Sequence, residues 1–162
     1  MEIHLGADHR GYELKQQIAE YLRALGHSIV DHGTDNPART DYPIFGKKVA
    51  EAVTAGSAGG PAREDQAGTA ARPTNPDRLG IVICGSGVGI SIAANKVHGA
   101  RCAVAWCEHI AEYSRRHNHA NLLAFSADLQ TITTAKRCLD AYLAAEPEGG
   151  RHAERVAMLE QC

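Results

Sequence analysis

A cysteine that ends a run of β-branched residues and opens onto alternating glycines is the part of this chain best suited to chemistry: Ile81-Val82-Ile83-Cys84-Gly85-Ser86-Gly87-Val88-Gly89. Glycines in such a turn let the backbone fold tightly and aim several N–H groups into one concavity, where the N-terminus of a following helix adds positive potential. That arrangement stabilises an oxyanion and favours a thiolate. Cys84 is therefore a candidate base or nucleophile, at the carboxyl edge where open α/β sheets bind their ligands. Two other readings fit the same string. One is a small buried hydrophobe followed by a tight turn. The other is a dinucleotide fingerprint with Glu108 as the ribose-binding acid, but the spacing is G-x-G-x-G, not G-x-G-x-x-G, and it follows the third strand.

Asp8-His9-Arg10-Gly11 stands at a second carboxyl edge, where Asp8 either caps the next helix or meets a ligand. The stretch Arg115-Arg116-His117-Asn118-His119 ends a helix. There His117 either complements the helix dipole or moves protons, while Asn118 closes the turn. Arg151 and Arg155 lie four apart on one helical face, a spacing that lets two guanidinium groups converge on a phosphate and is also common among exposed arginines. No histidine or cysteine pair has zinc-ligand spacing with a matching partner, so no metal is expected.

These residues need a scaffold, and the alternation of short β-branched runs with helical patterns predicts an α/β fold: a doubly wound, parallel, five-stranded sheet in three layers. Strands are expected at Glu2–Ala7, Ser28–Asp31, Gly80–Ile83, Arg101–Ala105 and Asn121–Phe125. Leu14, Ile18, Tyr21, Leu22 and Leu25 recur at helical spacing before a stop at Gly26. Asp41-Tyr42-Pro43 reads as a cap and first turn, leading through Phe45, Val49 and Val53. Further helices are expected at Gly89–Lys96, Glu108–Arg116, Thr131–Ala144 and from about Gly150, the last with Val156 and Leu159 as its apolar contacts and a partner subunit to pack on. The segment at about 55–77 lacks any Val, Ile, Leu or aromatic residue, so it reads as a flexible insertion in a single domain spanning 1–162.

A chain of 162 residues with 44% apolar content can bury one core. Its formal charge of -2 argues against nucleic acid or an anionic membrane as partner and fits a small-molecule substrate. Neither a secretory signal nor a membrane span is read. Five cysteines without C-x-x-C spacing read as free thiols, which places the protein in the cytoplasm.

Taken together, Gly6-Ala7-Asp8-His9, Asp41-Tyr42-Pro43, Cys84 to Gly89 with Ser91-Ile92-Ala93-Ala94-Asn95-Lys96, His117-Asn118 and Gly149-Gly150-Arg151-His152 closely resemble the type B ribose-5-phosphate isomerases. Order and spacing agree along nearly the whole chain. That family also contains isomerases of galactose 6-phosphate, allose 6-phosphate and tetrulose phosphates. The resemblance implies a Rossmann-like homodimer or tetramer that needs no cofactor or metal, acts in the pentose phosphate pathway, and builds its sites from both subunits. It implies that Cys84 moves a proton between C1 and C2, that Ser86 assists at the substrate hydroxyl, and that the N–H groups of Gly85, Gly87, Val88 and Gly89 hold a cis-enediolate. His117 would open the furanose ring, Asp8 and Asn118 would place hydroxyls, His9, Arg151 and Arg155 would hold the phosphate, and Tyr42 would line the pocket. Such chemistry is sound in itself, because a proton α to a carbonyl is removable only when charge developing on the oxygen is stabilised. One branch of the family uses a glutamate as base six residues beyond this cysteine, a place taken here by Ile90. Members commonly carry an arginine after the fifth strand, whereas this chain has Asp128. Ribose 5-phosphate is the expected substrate. Another sugar phosphate, or a binding module without catalysis, is the alternative.

Overall fold

A computed structural model describes residues 1–55 and 78–161, so the insertion expected at about 55–77 lies, past Ala55, outside the described residues. In chain order the elements are β1 (Glu2–Ala7), α1 (Tyr12–Ala24), β2 (Ser28–Asp31), α2 (Tyr42–Thr54), β3 (Arg78–Cys84), α3 (Val88–Asn95), β4 (Cys102–Val104), α4 (Glu108–Asn118), β5 (Leu122–Ser126), α5 (Ile132–Ala144) and α6 (Arg151–Leu159). The strands form one parallel sheet in the order β2-β1-β3-β5-β4. The expected α/β class and five-stranded sheet are what is found.

Six consecutive residues of β3, Leu79 to Cys84, are buried, as a strand covered on both faces requires. One face of the sheet packs Ile3, Leu5, Ile81 and Ile83 against Leu14, Ile18 and Leu22 of α1 and Cys138, Leu139 and Tyr142 of α5. The other packs Val82, Cys84 and Ala124 against Phe45, Val49 and Val53 of α2 and Ile90 and Ala94 of α3. Truncating one such leucine or isoleucine to alanine costs about 2–5 kcal/mol, so these faces fix the layers.

The boundaries differ from expectation where pairing or exposure overrides the local pattern. Register with Glu2 and with Ser126 draws β3 out at both ends, to Arg78 and Cys84, beyond the expected Gly80–Ile83. β4 is shorter than Arg101–Ala105 because it is an edge strand, paired on one side alone. Leu25 falls past the end of α1 and is 50% exposed, and Leu159, expected to be an apolar contact of α6, is 52% exposed. Val156 and Ala157 are the buried residues of that helix, which packs on α4 of its own chain. Asp41 occupies the cap position of α2 without a side-chain bond to the helix. Among the described residues no helix is long and apolar enough to cross a membrane.

The register sets what this scaffold can bring together. Asp8, Cys84 and Asp128 stand at or just past the carboxyl ends of adjacent strands β1, β3 and β5.

Candidate active site

Cys84 is the last residue of β3 and is 4% exposed. Its Sγ accepts the N–H of Gly87 at 3.2 Å. Gly87 precedes α3 with φ 77°, a left-handed conformation that glycine alone adopts without strain, and this bend aims its amide back at the sulfur. Next along the turn, the exposed Ser86 accepts the Val88 N–H on Oγ at 3.3 Å. The N–H of Gly89, in the first turn of α3, has no carbonyl partner by helix geometry and stays available to an anion. Tyr42, at the start of α2, lies against Gly89 so closely that a Cβ there would stand 2.7 Å from its ring. Phenol, nest and thiol thus share one wall.

Two neighbouring strands hold this loop in place. The Asp8 N–H donates to Ile83 O at 3.2 Å, joining the end of β1 to the residue before Cys84. Asp8 is buried, and its Oδ1 accepts from the amides of Arg10 (3.0 Å) and Gly11 (3.1 Å), so it braces the turn before α1 although Gly11 is the residue at the cap position. His9 follows, with Nδ1 3.0 Å from the carbonyl oxygen of Thr40 just ahead of Tyr42. From β5, Ser126 Oγ donates to Gly85 O at 2.7 Å and accepts the Leu129 N–H at 3.1 Å. Sequence reasoning missed Ser126, although its place at a carboxyl end was a usable signal.

His117 and Asn118 are not in this group. They close α4, which returns to the amino edge of the sheet before β5 starts at Leu122. Leu122 is level with Gly80, whereas Cys84 is level with Ser126, four residue steps or about 13 Å further along the sheet. His119, not Asn118, closes the turn, with φ 48°. At this second edge His117 stacks between Tyr113 and His152, with ring centroids 4.8 and 4.2 Å apart. Glu148 accepts from Arg116 on Oε1 at 2.7 Å and presents Oε2 to His117 Nε2 at 3.9 Å and His152 Nε2 at 3.7 Å. The Arg116 bond, first, holds the Glu148 carboxyl below its ordinary range. Desolvation, then His117 and Arg151, holds His152 below the ordinary imidazole value. Arg151 and Arg155 are exposed on the same short helix as His152.

Ligand atoms of His117, Glu148 and His152 lie within 4.8 Å of one another, a cluster that sequence spacing did not disclose. The two rings are nearly parallel, at 11°, so their in-plane lone pairs do not converge on a point about 2.0–2.1 Å from both. As built, the cluster suits proton handling better than a metal. A cavity of about 480 Å³ also opens at this edge, lined by Asn118, Arg101 and Glu160 among others, and does not include Cys84. The sulfur and amide nest lie at the other edge of the sheet, apart from this cavity.

Comparison with known proteins identifies the family. The Ribose/Galactose Isomerase family model matches residues 3–60 and 64–159. The chain is 41% identical over 155 residues to ribose-5-phosphate isomerase B of Escherichia coli, covering 96% of this chain and 91% of that protein. It is similar to the structure of Clostridium thermocellum ribose-5-phosphate isomerase B, with TM-score 0.85, 43% identity and coverage of 99% and 96%. A structure of ribose-5-phosphate isomerase B from Mycoplasma genitalium with bound ribulose-5-phosphate matches at TM-score 0.84 and 34% identity, covering 99% of this chain and 94% of that one. With a matching family model over nearly its full length, the chain belongs to the ribose/galactose isomerase family.

Proposed function

We propose that this protein interconverts ribose 5-phosphate and ribulose 5-phosphate without a metal ion, with Cys84 carrying the proton between C2 and C1. The observation that supports this most directly is the Gly87 amide on Cys84 Sγ, in a glycine nest at the carboxyl edge of a parallel sheet. The thiolate takes the C2 proton of the open-chain aldose, and the resulting thiol, which exchanges its proton with solvent, delivers a proton to C1. Meanwhile the amides of Gly85, Gly87, Val88 and Gly89 hold the negative charge of the cis-enediolate, and Ser86 meets a substrate hydroxyl. Tyr42 and His9 line the same wall, and Asp8 places hydroxyls.

His117, Asn118, Arg151 and Arg155 complete the reading only from a second copy of the chain, because one copy holds them at the opposite edge. We therefore take the working unit to be a homodimer, or a pair of dimers. His117 from one subunit opens the sugar ring over Cys84 of the other, and Arg151 and Arg155 hold the phosphate. Exposed apolar surface on α6, at Met158 and Leu159, supports such a contact. Each subunit acts as a single catalytic domain, in the cytoplasm, with Cys84, Cys102, Cys107 and Cys138 as free thiols.

Incubation with a panel of aldose phosphates in deuterated water, after treatment with a chelator, tests the proposal. Ribulose 5-phosphate carrying solvent deuterium at C1 is the expected product. Binding without exchange would end the catalytic reading, and faster conversion of a hexose phosphate would move the activity to another sugar.

A further inference from the structure

We propose that Arg10 is a substrate-binding residue of the Cys84 site and that Asp128 is the residue that positions it. The guanidinium crosses from the β1 loop to the β5 loop, donating from Nε to Asp128 Oδ1 at 3.2 Å and from Nη2 to Oδ2 at 2.7 Å. Between those loops lies Gly85. A Cβ on that glycine would stand 2.9 Å from both Arg10 Nε and Asp128 Oδ2, so the pair roofs the first residue of the nest. Both partners are tied to the site through their backbones. The Arg10 N–H donates to Asp8 Oδ1, and the Asp128 N–H donates to Gly85 O at 3.0 Å. Arg10 also lies within electrostatic reach of Cys84 and Asp8.

An ion pair this exposed contributes little to stability, so its placement over the nest calls for another role. With Nε and Nη2 fixed by Asp128, Nη1 has no protein acceptor among the described residues. A planar fork held at one edge presents its remaining donors in a set direction, which suits an anionic oxygen of the substrate or enediolate. The identity of that anion rests on the isomerase reading.

The test compares wild type with Arg10→Ala, Arg10→Lys, Asp128→Ala and the double variant Arg10→Ala/Asp128→Ala. Steady-state kinetics on ribose 5-phosphate and calorimetric binding of the same compound are read, with melting curves to confirm folding. Arg10→Ala is expected to lower kcat/KM about tenfold or more, and Arg10→Lys not to restore it. Asp128→Ala should raise KM by a smaller factor, and the double variant should be no worse than Arg10→Ala alone. Arg10→Ala kinetics within about twofold of wild type would overturn the proposal while leaving the isomerase reading intact. Additive losses would overturn the positioning role of Asp128. If wild type turns over no sugar phosphate, the isomerase reading fails, and equal affinity of wild type and Arg10→Ala for ribose 5-phosphate then overturns this proposal separately.

Discussion

The amide of Gly87 donates to the sulfur of Cys84 across 3.2 Å, and it does so because Gly87 holds φ at 77°. A Cβ here would also stand 3.0 Å from the carbonyl carbon of Phe125. Gly87→Ala is expected to destabilise the fold by about 1–3 kcal/mol through left-handed backbone and crowding together. Urea denaturation measures this, and an unchanged midpoint would show that the turn relaxes freely.

Cys84→Ala removes the proposed base and one acceptor of the nest. Turnover should fall by roughly 10² to 10⁴, with binding of ribose 5-phosphate nearly intact. Full activity in that variant would take the thiol out of the mechanism.

Because Cys84 and His117 lie at opposite edges, two inactive variants should repair one another. Cys84→Ala and His117→Ala, mixed and allowed to exchange subunits, form hybrid dimers with one intact site each. About a quarter of wild-type activity is expected at equal amounts, since half the dimers are hybrid and half of their sites are whole. No recovery after proven exchange would show that each chain supplies its own complete site.

Stability should fall with acidification through a defined window. Burial, first, holds His4 and His32, which stack on each other, below the ordinary imidazole value of 6.5, and it does the same to His119. A depressed imidazole means the unfolded chain binds more protons than the folded one, so the stability gained is full above pH 6.5 and is lost as pH falls toward the folded values. The urea midpoint should be lower at pH 5.5 than at 7.5, and His32→Asn should flatten the difference. A midpoint indifferent to pH would contradict it.

Lys15, wholly buried, donates to both oxygens of Asp31 at 2.6 Å and to Thr34 O at 2.9 Å, securing the loop after β2. Lys15→Met leaves Asp31 without its cation. Asp31 keeps 29% side-chain exposure, so water takes up part of that loss and the expected cost is about 1–3 kcal/mol, read by urea denaturation. A variant as stable as wild type would mean the methionine packs as well as the ion pair binds.

Much of this fold was legible because its signals are local. The unbroken apolar run before Cys84 marks a central strand, and the glycines after it mark a turn into a helix, whatever the rest of the chain does. The helical spacing of Leu14, Ile18 and Leu22 is of the same kind. What stayed hidden depends on contacts between distant residues. Arg10 and Asp128 are 118 positions apart, and Asp128 read as the loss of a cation until the structure paired it with one. Glu148 drew no notice because its partners Arg116, His117 and His152 come from two helices. Lys15 sits among the buried residues of α1, where a lysine pattern predicts the solvent face. In each case the pairing, not the residue type, creates the environment.

A lone folded copy holds Cys84 and His117 at opposite edges of its sheet. If both must meet across a subunit boundary, specific activity becomes a function of protein concentration. Dilution below the dissociation constant of the dimer should then silence well-folded chains without unfolding them.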